Sequence, residues 1–310
     1  MKEFIEYNYD LRCDDLAILN NLLYFKHLDK FYIISNFNRD EVEFEKVLNY
    51  LISNNLKSLK VVMNKKGSYI SEFNGKKYVV MESDCENEII DFPICIGGLI
   101  NENNYWNEIW ENRVVQLEKH KSELSLNKDI FYILNYYIGL IEICIYNYNL
   151  LIKKYGQKNG LSIQHNRIEF PIYSFSYYNP VNYLFDFEFR DFAEYLKMRF
   201  FYSDFSTDEA ISVIDNYNFD NFSINMFFVR LIYPTYFLEL YDIQNKNNVY
   251  SDLFYDLLKK SSQYENFILK LITAMSSKYE IIIKYPFIYQ RWLRLLFLEV
   301  LLLWILKYHI

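Results

Sequence analysis

The hydrophobic pattern changes character about a third of the way along the chain. Residues 22–37 (LLYFKHLDKFYIISNF) carry two apolar runs broken at Asp29-Lys30, which predicts a hairpin. From Arg39 to Asn55 the apolar positions Phe44, Val47, Leu48, Leu51 and Ile52 recur at helical spacing. Glu41, Glu43 and Glu45 enrich the first turns of that helix, where negative charge suits the positive end of its dipole. LKVVMN (59–64), SYISEF (68–73) and KKYVVMES (76–83) then read as three strands, turning at Lys66-Gly67 and Asn74-Gly75. Asn-Gly between strand-like runs is the strongest short hairpin signal in the chain, because both residues tolerate positive φ. Residues 84–104 are polar, hold Pro93 and Gly97-Gly98, and predict a hinge.

Beyond it the pattern is helical. Trp106, Trp110, Val114 and Leu117 stripe one helix, and residues 129–153 predict a longer one that is apolar nearly all round, as a buried central helix would be. LSIQ (161–164) and YLFDF (183–187) interrupt the helices as short strands. Helical stretches follow at 189–202, 208–217, 222–243, 250–262 and 263–283, with Pro234 expected to kink the third. The predicted class is α+β. A small antiparallel-sheet lobe with one helix covers residues 1–97, with a hinge near 84–104, and a larger, mostly helical lobe covers 98–310.

Composition narrows the function classes. With 52% hydrophobic and 24% charged residues the chain is globular in character and long enough to bury a proper core. A net charge of -7 gives no positive field with which to release counterions from a polyanion, so nucleic acid is not an expected partner. Cys13, Cys85, Cys95 and Cys144 are scattered without zinc-ligand spacing and read as free thiols in a reducing cytoplasm. The first residues lack the apolar core of a secretory signal. Residues 295–306 (LLFLEVLLLWIL) are apolar except for Glu299. As a helix they would span about 18 Å, against a hydrocarbon core of about 30 Å. They predict a buried or partner-binding helix and not a membrane contact.

The candidate chemistry lies at Tyr183–Leu196, a strand ending in Asp186-Phe187-Glu188 and running into a helix. Kinase-like folds hold a metal-binding Asp in this way, and strand-strand-helix followed by three strands is the layout of a kinase-like small lobe. Such a site needs a Lys on the third small-lobe strand and a Glu on the next helix to hold it. It also needs a catalytic-loop Asp, an Asn a few residues on, and the metal-binding Asp. Phe31–Asn36 contains no Lys, and Lys30 at its edge reads as a solvated turn residue. Glu41, Glu43 and Glu45 then read as an exposed acidic face. The loop position holds Gln164-His165-Asn166-Arg167. His165 reads as a packed structural histidine, and Arg167 cannot act as a base because guanidinium stays protonated. Five residues further stands Ile172, which cannot bind magnesium, and Asn179 and Asn182 read as turn residues. Catalytic residues are therefore expected to be absent. Asp186 is either a magnesium ligand or the partner of Arg167 in an ion pair; the pair is favoured, since one carboxylate without a phosphate clamp makes a weak metal site. Asp186 and Glu188 would contact a cofactor only if nucleotide binds. Glu188, Arg190 and Asp191 read as a capping and ion-pair cluster.

With these residues in view, the chain resembles the spore-coat-associated YutH-type proteins, near the CotS and aminoglycoside-phosphotransferase group of kinase-like folds. The resemblance rests on Gly67…Ser71-Glu72…Gly75…Tyr78 and on Trp106-Asn-Glu-Ile-Trp110-Glu-Asn-Arg113. It continues through Tyr136-Tyr137-Ile-Gly139, His165-Asn-Arg167, Asp186…Arg190-Asp191-Phe-Ala-Glu194 and Arg230-Leu-Ile-Tyr233-Pro234. It implies a two-lobed kinase-like fold, location in the cytoplasm or the spore coat, protein partners that include coat proteins, and no established catalysis. His-x-Arg looks like a feature of that branch. The resulting expectation is a catalytically silent, pseudokinase-like scaffold without a cofactor. The alternative is a divergent small-molecule phosphotransferase using ATP and magnesium, with Glu169 or Glu188 as an unconventional base.

Overall fold

A computed structural model describes residues 1–19, 22–90, 96–100, 104–123, 128–157, 160–247 and 252–285. The apolar stretch 295–306, Cys95 and parts of the expected hinge (91–95 and 101–103) lie outside the described residues. The chain divides into two compact units, Met1–Asn104 with Asn159–Tyr195, and Tyr105–Lys158 with Leu196–Ile310. The first is larger than residues 1–97 because the strands around His165 and Asp186 join it.

That unit opens with a helix the apolar pattern left unannounced, α1 (Lys2–Tyr9), and a short strand β1 (Ala17–Leu19). The predicted hairpin follows as β2 (Leu22–His27) and β3 (Lys30–Phe37). His27 pairs with Lys30, so the turn falls on Leu28-Asp29, one residue earlier than expected, with Leu28 at φ 55°. The helix α2 (Glu41–Ser53) starts where Asp40 accepts from the Glu43 amide, satisfying one of its free N–H groups. Then come β4 (Lys60–Val61), β5 (Ile70–Phe73) and β6 (Lys76–Ser83). Asn74 (φ 51°) and Gly75 (φ 71°) make the predicted tight turn between the last two. The sheet order is β1-β2-β3-β6-β4, with β5 pairing Lys76–Val79 of β6 and β4 pairing Met81-Glu82 further along it.

Both faces of this sheet are covered. Ile33, Val79 and Met81 meet Phe44, Val47, Leu48 and Leu51 of α2, while Tyr32, Ile34 and Val80 meet Phe4, Ile5 and Tyr9 of α1. Double burial explains why the third strand reads as a continuous apolar run and not as an alternation. A second sheet, β7 (Ile96–Ile100), β8 (Leu161–His165) and β9 (Tyr183–Asp186), is antiparallel throughout, so part of the expected hinge is strand. Ser162 pairs with Asp186 and His165 with Tyr183. Ile163 and Tyr183 enter the same core as α2 and β3.

The second unit is helical: α3 (Trp106–Glu123), α4 (Lys128–Tyr155), and, beyond β8 and β9, further helices. Leu134, Tyr137, Ile141, Cys144 and Leu151 of α4 are buried. The stretch Ile130–Tyr155 is long and apolar enough to cross a bilayer, but 56% of that window is buried, as in a core helix. The loop between β8 and β9 holds a single turn, α5 (Ser174–Tyr177), and a helix α6 (Arg190–Tyr202) follows β9. α7 (Thr207–Asp215) has a full capping box between Ser206 and Glu209. The predicted helix 222–243 is two helices, α8 (Asn221–Ile232) and α9 (Thr235–Asn247), since Pro234 breaks the ladder outright. The fully buried Lys197 ammonium donates to the Tyr233 carbonyl and to Thr235 Oγ1 at 2.9 Å each, placing positive charge at the end of α8. Within the stretch 250–283, expected as two helices that meet at 262–263, Asp252–Met275 form a single helix, α10, and 276–283 are turn and coil. Trp106 stacks on Trp110 (5.0 Å) and Trp110 on Tyr233 (4.6 Å), with the Arg230 guanidinium 5.3 Å from the Trp106 ring. The Trp and Arg-Tyr motifs of the sequence thus meet in one aromatic–cation stack.

Candidate functional site

The site is built on β8, the seventeen-residue loop 166–182, β9 and the start of α6. His165, at the end of β8, is buried. Its Nδ1 lies 2.6 Å from Asp191 Oδ2, and its Nε2 lies 2.7 Å from the Tyr177 carbonyl. A carbonyl only accepts, so Nε2 carries hydrogen, and a proton between Nδ1 and the carboxylate closes the second contact. The ring stacks on Tyr177 (4.3 Å) and meets Tyr183 edge-on (4.9 Å). Asp191 Oδ1 also accepts from the His165 amide, and Gln164 Oε1 accepts from the Asp191 amide. These contacts tie the end of β8 to α6, to α5 in the loop and to β9. It is a structural histidine in geometry.

Asn166 and Arg167 are exposed, and their backbone is held from one side. The Asn166 amide donates to the Asn182 carbonyl, the Arg167 amide to Asn182 Oδ1, and Asn182 Nδ2 to the Arg167 carbonyl. Asn182 and Asn179 are therefore loop fasteners, as the turn reading expected. Asn179 Oδ1 accepts from the Val181 amide, and its Nδ2 donates to Ser35.

Asp186 is buried at the end of β9. Its Oδ1 accepts from Asn104 Nδ2 (2.5 Å) and from the Phe187 amide (2.8 Å), and its Oδ2 from Arg190 Nη1 (2.5 Å). The sequence pointed to Arg167 as the opposing cation; the residue set against Asp186 here is Arg190, one helical turn along the chain. Burial works against the Arg190 charge, but Asp186, Glu194 and Asp191 outweigh it, so the guanidinium holds its proton more firmly than in water. Arg190 Nη2 also donates to the Asn166 carbonyl at 3.1 Å, tying strand, helix and loop together, while its buried Nε has no hydrogen-bond partner. Glu188 is half-buried two residues past the strand. Among the described residues no group of three or more His, Cys, Asp or Glu side chains could hold a metal ion.

On β3 and α2 the residue types that a phosphotransferase would use are Lys30 and the glutamates Glu41, Glu43 and Glu45. Lys30 is the first residue of β3, just past the hairpin turn, and pairs with Glu82 (3.1 Å) and Asp84 (3.5 Å). Glu41 pairs with Lys77 at 2.6 Å, Glu43 lies 3.7 Å from Arg39, and both glutamates are exposed, as is Glu45. The chain's first glycine is Gly67, so no glycine-rich loop precedes β3. Arg39, which the sequence reading passed over, donates to the carbonyls of Val181 and Tyr183, and burial lowers its pKa.

Sequence reasoning also missed Phe175. It is buried in the common core with Ile33, Val79, Met81, Ile163 and Tyr183, its ring 6.0 Å from Phe31 and 6.3 Å from Tyr24. The backbone on either side of it pairs with the segment after β6. Ile90 N donates to Ile172 O, Ser174 N to Glu88 O, and Phe175 N to Asn87 Oδ1. The only signal was the apolar content of the loop, Ile172 and Phe175 among polar neighbours. A cavity of about 230 Å³ remains on the other side of the loop, between the end of β3 and residues 165–182, with Arg167 and Glu169 in its lining.

An antiparallel small sheet with a helix on each face, a β8–β9 pair carrying His165 and Asp186, and a helical second unit define an aminoglycoside phosphotransferase-like, kinase-like fold. The family model described as "Spore coat putative kinase YutH" matches residues 98–271, and the chain belongs to that family. Among solved structures the chain is similar to an aminoglycoside phosphotransferase from Alicyclobacillus acidocaldarius subsp. acidocaldarius (TM-score 0.54, 9% identity, covering 89% of this chain and 96% of that one). It is also similar to a spectinomycin phosphotransferase (TM-score 0.47, 10% identity, 87% and 92% covered). At such identities the likeness is one of fold. A comparison with curated protein sequences finds no match.

Proposed function

We propose that this protein is a catalytically silent member of its fold, acting as a binding or scaffolding component of the spore coat through protein partners. The observation that carries this reading is the placement of Phe175. In a kinase-like site the nucleotide must lie between the third strand, which supplies the phosphate-binding Lys, and the strand that ends in the metal-binding Asp. Here Ile33 of β3 and Tyr183 of β9 share a core with Phe175. Asp186 is engaged by Arg190, Asn104 and the Phe187 amide, so a magnesium ion would have to displace a buried guanidinium. These residues do not fit a nucleotide–magnesium pair.

Thermal denaturation with ATP or GTP at millimolar concentration, with and without magnesium, tests the reading. A ligand that binds only the folded state must raise the midpoint. No shift and no phosphate transfer to hydroxyl or amino acceptors are expected. A magnesium-dependent shift that Asp186→Ala abolishes would instead establish the divergent phosphotransferase. Extraction of coat layers from spores, probed with an antibody to this chain, tests the location.

A further inference from the structure

In the second unit the segment 280–285 is held against α4 and α8 by asparagine side chains that read its main chain. Asn225 of α8 accepts from the Ile282 amide and donates to the Glu280 carbonyl, each at 2.8 Å. Asn147 of α4 accepts from the Lys284 amide (2.7 Å) and donates to the Lys284 carbonyl (2.8 Å), and Asn221 accepts from the Glu280 amide (3.1 Å). Asn147 and Asn225 are fully buried. A side-chain amide both donates and accepts, so these two take the place of a neighbouring strand. Side chains fix the ends. Lys154 Nζ lies 2.5 Å from Glu280 Oε1, and burial, with Glu265 close by, pushes the Tyr285 hydroxyl up. The turn leading into the segment is held less firmly. Tyr264, Ile268, Leu271, Met275, Tyr279 and Ile282 keep helical spacing across it, and residues 252–285 contain no Gly or Pro. Local sequence thus favours α10 running on, while the groove holds 280–285 out of the helix. The exposed Lys278–Asp215 ion pair at the turn (2.7 Å) contributes little against release.

We propose that residues 280–285 are an exchangeable arm, which one copy of the chain lays into the α4–α8 groove of a second copy. The second copy is the occupant that fits, because its arm brings the same carbonyls, amides and carboxylate to Asn147, Asn225 and Lys154. Straightening of 276–279 into α10 frees the arm from its own groove. The closed and exchanged forms then share their arm contacts and differ in the hinge and in the cost of association, and two copies that trade arms close on themselves as a dimer. Concentration decides between the forms, set against the arm's effective concentration at its own groove, which is on the order of millimolar for a short link. The inference goes beyond silence in phosphoryl transfer and does not rest on it.

Carbodiimide coupling of the full chain tests the proposal, because it condenses Lys154 with Glu280 to an amide where the two touch. An equimolar mixture of unlabelled and heavy-nitrogen-labelled chains is incubated and coupled at about 10 μM and at about 1 mM, below and near the effective concentration of the arm. After digestion, mass spectrometry reads the Lys154–Glu280 peptide pairs. A pair from one chain is uniformly light or uniformly heavy, and a pair with one light and one heavy partner reports an exchanged arm. Mixed pairs are expected to rise at least tenfold between the two concentrations. They are expected to fall at least tenfold when two glycines are inserted after Ser277, since a longer hinge lets the arm close on its own groove. Uniform pairs at both concentrations would overturn the proposal, as would a dimer in sedimentation whose pairs stay uniform. Mixed pairs indifferent to the insertion would report chance encounters and overturn it too.

Discussion

Arg190 and Asp186 form a buried pair whose charges depend on each other. Removing one partner strands the other in a low-dielectric interior, which typically costs about 3–5 kcal/mol. Arg190→Met is therefore expected to lower the unfolding free energy by that order, and Asp186→Leu likewise. The double variant should lose clearly less than the sum, and urea denaturation of all four proteins closes the cycle. Additive losses would mean that the two side chains act separately. Glu265 in the second unit illustrates the opposite problem. It is buried, accepts from the Tyr136 hydroxyl, and has a pKa raised by desolvation, which that hydrogen bond only partly offsets. The folded state therefore holds this proton to higher pH than the unfolded chain does. Its contribution is fully present below the unfolded carboxyl value of about 4.3 and is lost as pH rises through the raised folded value. Glu265→Gln is expected to remove this loss, so that stability falls less steeply as pH rises above the unfolded carboxyl value. An unchanged pH profile in denaturation experiments would show that Glu265 is not the linked group.

At the scale of elements, Phe175 decides what the loop does. Truncating a buried aromatic typically costs about 3–5 kcal/mol through lost transfer energy and a cavity. Phe175→Ala should show a loss of that order in urea denaturation, and faster amide exchange at Phe175 and Ile90, whose N–H groups bridge the loop and the segment after β6. A near-neutral effect would mean that α5 merely rests on the core. The loop's role was hidden in the sequence because Phe175 looks like any apolar residue, and its partners Phe31 and Tyr24 lie over 140 positions away. Local signals fared better. Phe44, Val47, Leu48 and Leu51 announced α2, and Asn74-Gly75 announced its hairpin, because periodicity and positive φ act within a few residues. The partner of Asp186 was harder. Arg190 was visible at i+4, yet choosing it over Arg167 requires knowing that the turn 187–189 brings the first residue of α6 back to the carboxylate at the strand end. The break at Pro234 was legible as a kink only, since the buried Lys197 that serves the Tyr233 carbonyl comes from another helix.

At the scale of the molecule, the silent reading makes Arg167 the position that most invites substitution, because on that reading an Asp there would supply a proton acceptor the loop lacks. Groups that act as one catalytic unit are strongly non-additive, so restoring one while the rest are missing returns little. Here β3 holds a Lys only at its first position, Lys30, ion-paired with Glu82 and Asp84, no glycine precedes Gly67 in this sequence, and Ile172 stands where a second metal ligand would be expected. The fourth group, Asp186, is held by Arg190 and Asn104. Arg167→Asp is therefore expected to give no phosphate transfer from ATP–magnesium above the level of a buffer control, measured by release of labelled phosphate. Activity gained by this single change would mean that the cleft opens in solution far enough to admit nucleotide, with the Phe175 core giving way. Pairing Arg167→Asp with Phe175→Ala separates the cases: if only the double variant binds ATP–magnesium, the plug is what keeps the site closed, and if neither binds, the missing Lys and glycine loop set the limit.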